Sequence, residues 1–117
     1  MAEIHPVRSL LELEGEVKRR EITFTNHFIR DSLPDRPNLT KEEVRETVET
    51  PWNEKALAFD YKGEKKFGHR YNIVFHKSTQ YYLLTGVDIN DKKVEIVTAF
   101  QTNRNYAKPK ELAKQYG

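Results

Sequence analysis

The stretch Tyr81-Tyr-Leu-Leu-Thr-Gly-Val87, followed by Asn90-Asp-Lys92 and then by Val94-Glu-Ile-Val-Thr-Ala-Phe100, decides the fold. Hydrophobic or β-branched residues occupy every second position, at 81, 83, 85 and 87 and again at 94, 96, 98 and 100. Alternation with a period of two is typical of β-strands, and an Asn-Asp pair between two such segments favours a turn. The stretch therefore predicts two antiparallel strands joined by a short connection.

Two more alternating segments precede this pair of strands. One has its alternating residues at 57, 59 and 61, and the other at 71, 73 and 75, with turn-like sequences at 62–65 and 77–79. Four strands with short connections predict an antiparallel meander. Val97 and Ala99 make the last strand apolar on both faces, which predicts a central or well-covered position for it.

Helix signals precede the strands. Apolar residues at 7, 10, 13 and 17 predict an amphipathic helix over 6–17, and residues 21–25 alternate like a short strand. Thr25 or Asn26 can then cap a helix that runs to about Ser32, whereas Thr40 and Glu43 form the capping box of the next helix, which ends before Pro51. We expect an α+β domain in which two or three N-terminal helices pack on a four-stranded antiparallel sheet.

Length and composition limit the class of protein. The 117 residues suffice for one domain, which we divide into an N-terminal helix and basic segment (1–20), a core (21–106) and a short C-terminal helix (107–117). The charged fraction of 32% and the short apolar runs argue against a membrane span, and a cytoplasmic protein is the default expectation. The net charge of +2 is compatible with an RNA substrate, and the absence of cysteine excludes thiolate chemistry.

His27 and Arg30 are the first candidate functional residues. They lie one helical turn apart, so both can face one side while Phe28 points inward. An imidazole transfers protons near neutral pH, and a guanidinium binds phosphate, to which Arg36 in the following loop could contribute. The alternatives are that His27 is a structural residue, that Arg30 is solvated or paired with a nearby aspartate, and that Arg36 braces its loop.

Arg70 and His76 share one face of the third alternating segment and could reach the same phosphate if that face is open. They are equally explained as surface residues of a strand. Thr98 is expected on the same face as Val94 and Ile96, where its hydroxyl either contacts phosphate or is satisfied by the backbone. The four histidines lack the spacing of metal ligands, with His69 and His76 on opposite faces, so neither a metal nor another cofactor is expected.

Several short motifs occur in a distinctive order. They are His27-Phe-x-x-Arg30, Leu39-Thr-x-Glu-Glu-Val44 through Thr50-Pro51, Arg70-Tyr-x-Ile-Val74, Tyr81-Tyr-Leu-Leu-Thr-Gly86 and Ile96-Val-Thr-Ala-Phe100. In this order the chain resembles the small ribonuclease superfamily that groups barnase, EndoU, the tRNA-cleaving colicins and RelE-type toxins, and especially its phage and mobile-element branch. The resemblance spans about residues 22–106.

The resemblance implies a RelE/barnase-like fold and metal-independent endoribonuclease activity of a toxin or phage-associated type. His27 would be the acid or base, Arg30 and Arg70 would lie at the phosphate, and Thr98 would position the substrate. We add four candidate RNA-binding residues: Arg36, His76, Tyr82 and Arg104. The implied partners are RNA and an antitoxin or immunity protein. The alternative is a binding or regulatory module that keeps the fold without catalysis.

Overall fold

The computed structural model describes residues 7–36, 38–53, 55–77 and 81–103. In chain order the elements are helix α1 (Leu10–Lys18), strand β1 (Glu21–Phe24), a π-helical turn (Phe28–Ser32), a 3-10 turn (Leu33–Asp35), helix α2 (Lys41–Glu49), and strands β2 (Ala56–Lys65), β3 (Gly68–His76), β4 (Tyr81–Ile89) and β5 (Lys93–Asn103). The α+β class is confirmed. Arg104 and the helix predicted for 107–117 lie outside the described residues.

The sheet has five strands in the order β1-β5-β4-β3-β2. Strands β2 to β5 pair antiparallel with their chain neighbours, and β1 adds to β5 in parallel, with Ile22 opposite Val94 and Phe24 opposite Ile96. The prediction of a four-stranded, purely antiparallel sheet is therefore wrong, because the segment 21–25 joins the sheet as a fifth strand. Strand β5 lies between β1 and β4, as its two apolar faces predict.

Helices α1 and α2 cover one face of this sheet. Their buried residues Leu13, Val17, Val44 and Val48 belong to the same core cluster as the alternating side chains of β3, which include Tyr71. The opposite face carries a smaller apolar cluster made of Ala58, Val74, Tyr82 and Leu84.

The helix ends follow the predicted capping residues. The Thr40 hydroxyl accepts a hydrogen bond from the Glu43 N–H at 3.1 Å, and the Thr25 hydroxyl accepts one from the Phe28 N–H at 3.2 Å. Helix α2 ends at Glu49, and Thr50, the residue before Pro51, is extended. These local interactions fix where the helical segments begin and end.

The first hairpin turn lies further along the chain than predicted. The strand β2 continues through Gly63, where the pairing with β3 shifts, and the turn falls at Lys66 and Phe67. Gly68 then begins β3 with φ of +142°, and a Cβ there would overlap the Ile89 carbonyl group. Because glycine has no Cβ, the β2–β3 turn can lie this close to the end of β4.

The buried phenol of Tyr71 makes the stability of the fold depend on pH in the alkaline range. Burial raises the pKa of the Tyr71 phenol above its ordinary value of about 10, while its hydrogen bond from the Val7 N–H, at 3.2 Å, acts in the opposite direction. The stabilisation that this raised pKa provides is present below pH ~10 and is lost as the pH rises through the folded-state value, since the unfolded chain ionises first.

We expect Tyr71→Phe to lower the free energy of unfolding by about 1 kcal/mol at neutral pH, because a hydrogen bond is lost. The difference between wild type and variant should shrink above pH ~10, where the wild type loses the contribution of Tyr71 that the variant lacks. Urea unfolding of both proteins across this pH range measures the difference. A difference that stays constant with pH would contradict the proposed titration of Tyr71.

Candidate functional site

A groove of about 380 Å³ opens where the chain leaves β1 and passes the start of β5. The parallel register places Glu21 opposite Lys93 and Thr23 opposite Glu95. The backbone ladder continues one residue past β1, since the Thr25 N–H donates to the Ile96 carbonyl at 3.1 Å. The residues that line the groove are Thr23, Phe24, Thr25, Asn26, His27, Phe67, Lys93 and Glu95.

The His27 backbone is fixed from both sides. Thr25 before it caps the helical turn, and Phe28 after it is fully buried, with its ring stacked on Phe24 at 5.9 Å between centroids. The His27 side chain is 75% exposed, and its Nδ1 lies 3.0 Å from an Asp31 carboxylate oxygen. A carboxylate at Nδ1 orients the ring and leaves Nε2 as the nitrogen available for proton transfer.

His27 and Asp31 are four residues apart, and their side chains meet at the start of a π-helical turn. The Leu33 N–H donates to the Phe28 carbonyl, five residues back, so the turn is wider than an α-helical one. The sequence prediction assumed α-helical spacing and placed Arg30 beside His27. In the structure Arg30 is exposed, and the His27 ring contacts Asp31 instead.

Lys93 and Glu95 form the other wall of the groove. The Lys93 ammonium lies 3.0 Å from a Glu95 carboxylate oxygen, and Glu95 is 7% exposed whereas the Lys93 side chain is 45% exposed. A partly exposed ammonium can bind an anion, and a carboxylate can accept a proton. The groove thus combines an imidazole, an ammonium and a carboxylate.

Arg70 lies on the same sheet face as Glu95 but is paired with Asp88. Its guanidinium makes two hydrogen bonds to Asp88, which is fully buried, one of them at 3.0 Å between Nη2 and Oδ2. Asp88 is the register partner of Glu95, so Arg70 is two strands from the groove, or about 10 Å. His76 shares the face of Arg70 but lies six residues along the strand, about 20 Å away. The two therefore do not meet at one phosphate.

Thr98 is on the face opposite to the one predicted. Gly86 pairs with Thr98 but Val87 pairs with Ile96, so Val97 is an extra residue in β5. This bulge reverses the alternation: Val94 and Ile96 are buried in the main core, while the Thr98 methyl group lies 2.7 Å from where a Gly86 Cβ would be. Thr98 consequently covers Gly86 rather than facing the groove.

The remaining candidate residues lie apart from His27. Arg36 donates to the Ser32 carbonyl at 2.6 Å and lines a separate cavity of about 240 Å³ with Leu39 and Phe100. Tyr82 is 7% exposed in the second apolar cluster, with its ring 6.5 Å from that of His76. His76 Nε2 is buried and has no hydrogen-bond partner within the described residues.

His69 also carries a defined contact. Its Nδ1 lies 2.7 Å from the Tyr61 hydroxyl, and the two rings stack on the helix-covered side of the sheet, opposite to His76. Within residues 7–36, 38–53, 55–77 and 81–103, no three histidine, aspartate or glutamate side chains are grouped as metal ligands would be. No helix in these residues is long and apolar enough to cross a membrane.

Sequence reasoning missed Lys93 and Glu95 as site residues. Their signal was present, since charged residues alternate with Val94 and Ile96 at the start of β5. Alternation identifies the face on which they lie but does not identify the neighbouring strand. The missing information was the parallel pairing with β1, which joins segments about seventy residues apart.

The chain matches no family model, no curated protein and no solved structure. The resemblance to small ribonucleases therefore stays a prediction. The class of protein that the structure defines is an α+β domain with a groove, lined by charged, polar and aromatic side chains, at the edge of a five-stranded mixed sheet.

We expect Arg70→Ala to destabilise the fold, because it leaves the buried Asp88 carboxylate without its counter-charge. The cost should be about 3 kcal/mol in urea unfolding. The double variant Arg70→Met with Asp88→Leu removes both charges and should be more stable than Arg70→Ala alone. Wild-type stability of Arg70→Ala would contradict this structural role and leave Arg70 free for anion binding.

Proposed function

We propose that the protein is a metal-independent endoribonuclease whose active site is the groove of His27, Lys93 and Glu95. The observation that carries the proposal is that these three side chains line one open groove. Cleavage of RNA through its own 2′-hydroxyl needs two proton-transfer groups and a cation at the phosphate. This groove holds an imidazole and a carboxylate for proton transfer and an ammonium as the cation.

The proposed reaction is a transesterification. The Glu95 carboxylate accepts the proton of the 2′-hydroxyl, and the 2′-oxygen attacks phosphorus while the bond to the 5′-oxygen breaks. His27 donates a proton from Nε2 to the departing 5′-oxygen. Lys93 binds a non-bridging oxygen as negative charge develops in the transition state. The products are a 2′,3′-cyclic phosphate and a 5′-hydroxyl.

Asp31 is the positioning residue of this scheme. Its carboxylate lies 3.0 Å from His27 Nδ1, within hydrogen-bond distance of that ring nitrogen. Both side chains are well exposed, so the pair itself adds little to stability. Its contribution would be to orient Nε2 towards the groove.

The contributions of Arg30, Arg70 and Thr98 change in this proposal. Arg30 is exposed near His27 and contributes charge to the approach of RNA, whereas Arg70 and Thr98 support the sheet through Asp88 and Gly86. A toxin or phage-associated biology, with an antitoxin or immunity protein as partner, is the context that the sequence resemblance would supply.

We expect the purified protein to cleave single-stranded RNA in EDTA and to leave cyclic-phosphate ends. His27→Ala and Glu95→Gln should each lower the rate by roughly a hundred-fold or more, because each removes a proton-transfer group. Lys93→Ala should also lower the rate, whereas Lys41→Ala, at an exposed lysine at the start of α2, controls for the loss of one positive charge and should not.

The cleavage rate and the chemistry of the product ends are the measurements. Asp31→Asn should lower the rate less than His27→Ala, and it should lower kcat more than it raises KM, because it removes the group that orients the imidazole but keeps the imidazole. The proposal fails if His27→Ala and Glu95→Gln cleave as fast as wild type, or if EDTA abolishes cleavage by the wild-type protein.

A further inference from the structure

Phe67 is an exposed aromatic residue at the mouth of the proposed active site. It lies in the β2–β3 turn and is 43% exposed, one of two large hydrophobic side chains that are exposed within the described residues. It lines the His27 groove and also a second, wider cavity of about 780 Å³ at the hairpin ends. Lys93 lines both as well, so the two cavities are neighbours that share these side chains.

The backbone that carries Phe67 is held by specific contacts. The Asn90 side-chain amide donates to the Phe67 carbonyl at 3.2 Å, while its oxygen accepts from the N–H groups of Lys92 and Lys93 at 2.9 and 2.8 Å. The adjacent Gly68 lies directly against the Ile89 carbonyl group. The backbone of Phe67 is therefore held by contacts between the β2–β3 turn and the β4–β5 turn.

Lysine side chains surround this ring. The Lys66 ammonium lies over one face of the Phe67 ring, 5.5 Å from its centroid, and Lys92 and Lys93 line the same wide cavity. Glu21 and Asp91 are the acidic residues that line it, so cations outnumber anions there. An aromatic ring with a cation over one face and further cations nearby matches a base that stacks on the other face and is flanked by phosphates.

We propose that Phe67 is the stacking platform for an unpaired base of single-stranded RNA next to the phosphate held at Lys93, with Lys66 and Lys92 contacting the phosphates that follow. This inference rests on the proposed nuclease function and adds its substrate class. The strand would run from the His27 groove across Phe67 into the wide cavity. Single-stranded RNA is specified because the faces of a base are covered in a duplex and free in a single strand.

Binding of an RNA that cannot be cleaved tests this platform. The probe is a fluorescein-labelled single-stranded oligoribonucleotide with 2′-O-methyl groups, which lacks the nucleophilic hydroxyl. Phe67→Ala should weaken its affinity by roughly ten-fold, as expected for one lost base–aromatic stack. Phe67→Trp should keep the affinity, and Phe67→Leu, which keeps an apolar side chain but loses the aromatic face, should not.

Leu11→Ala is the matched control, since Leu11 is the other exposed large hydrophobic residue and lies on α1. It should bind as wild type does. At equal salt the duplex form of the probe should bind more weakly than the single strand. In a salt titration the double variant Lys66→Ala with Lys92→Ala should show a weaker dependence of affinity on salt than wild type. In cleavage assays Phe67→Ala should raise KM more than it lowers kcat.

The two proposals fail in different ways. If Phe67→Ala binds the probe as tightly as wild type, or if Phe67→Leu binds as Phe67→Trp does, the stacking platform is overturned while cleavage dependent on His27 can still stand. If His27→Ala cleaves as wild type does and the probe still needs an aromatic residue at 67, the nuclease mechanism is overturned and the RNA-binding site stands. Duplex affinity equal to that of the single strand also overturns the stacking platform.

Discussion

The parallel pairing of β1 with β5 is the constraint on which the groove depends. It aligns four residues of β1 with Lys93 to Ile96 and continues through the Thr25 N–H to the Ile96 carbonyl. Thr25 also caps the helical turn that holds His27, so one residue ends the ladder and begins the turn. A shift of one residue in this register would exchange the faces of β1 and separate His27 from Glu95.

Much of the fold was predictable because its signals are local. Thr40 and Pro51 bound helix α2 through contacts with near neighbours in the chain, and the alternation at 71, 73 and 75 is read from consecutive residues. The bulge at Val97 and the partner of β1 were not predictable, since each depends on which distant backbone is adjacent. His27 could therefore be predicted as a candidate site residue from the sequence. Lys93 and Glu95 could not, because they line the same groove only through the pairing of β1 with β5.

The two ion pairs on this sheet face differ in the exposure of their cations, since the Arg70 side chain is 28% exposed and the Lys93 side chain is 45% exposed. Asp88 and Glu95 are register partners and both are buried carboxylates, so each needs a cation of its own. Arg70 meets Asp88 through two hydrogen bonds, which fix its guanidinium in one geometry. Lys93 meets Glu95 through one contact and keeps nearly half of its side chain exposed. We therefore infer that the Arg70–Asp88 pair stabilises the fold, whereas the Lys93 ammonium of the second pair is exposed enough to bind another anion.

This exchange links substrate binding to proton transfer in the proposed reaction. An arriving phosphate competes with Glu95 for the Lys93 ammonium, because the ammonium can hydrogen-bond to both anions but carries a single charge. As Lys93 turns towards phosphate, the Glu95 oxygen that it held becomes available to accept the 2′-hydroxyl proton. Without substrate, the same contact compensates the buried carboxylate and preserves the sheet. Lys93 thus compensates Glu95 in the free protein and, in the proposed reaction, binds the substrate phosphate.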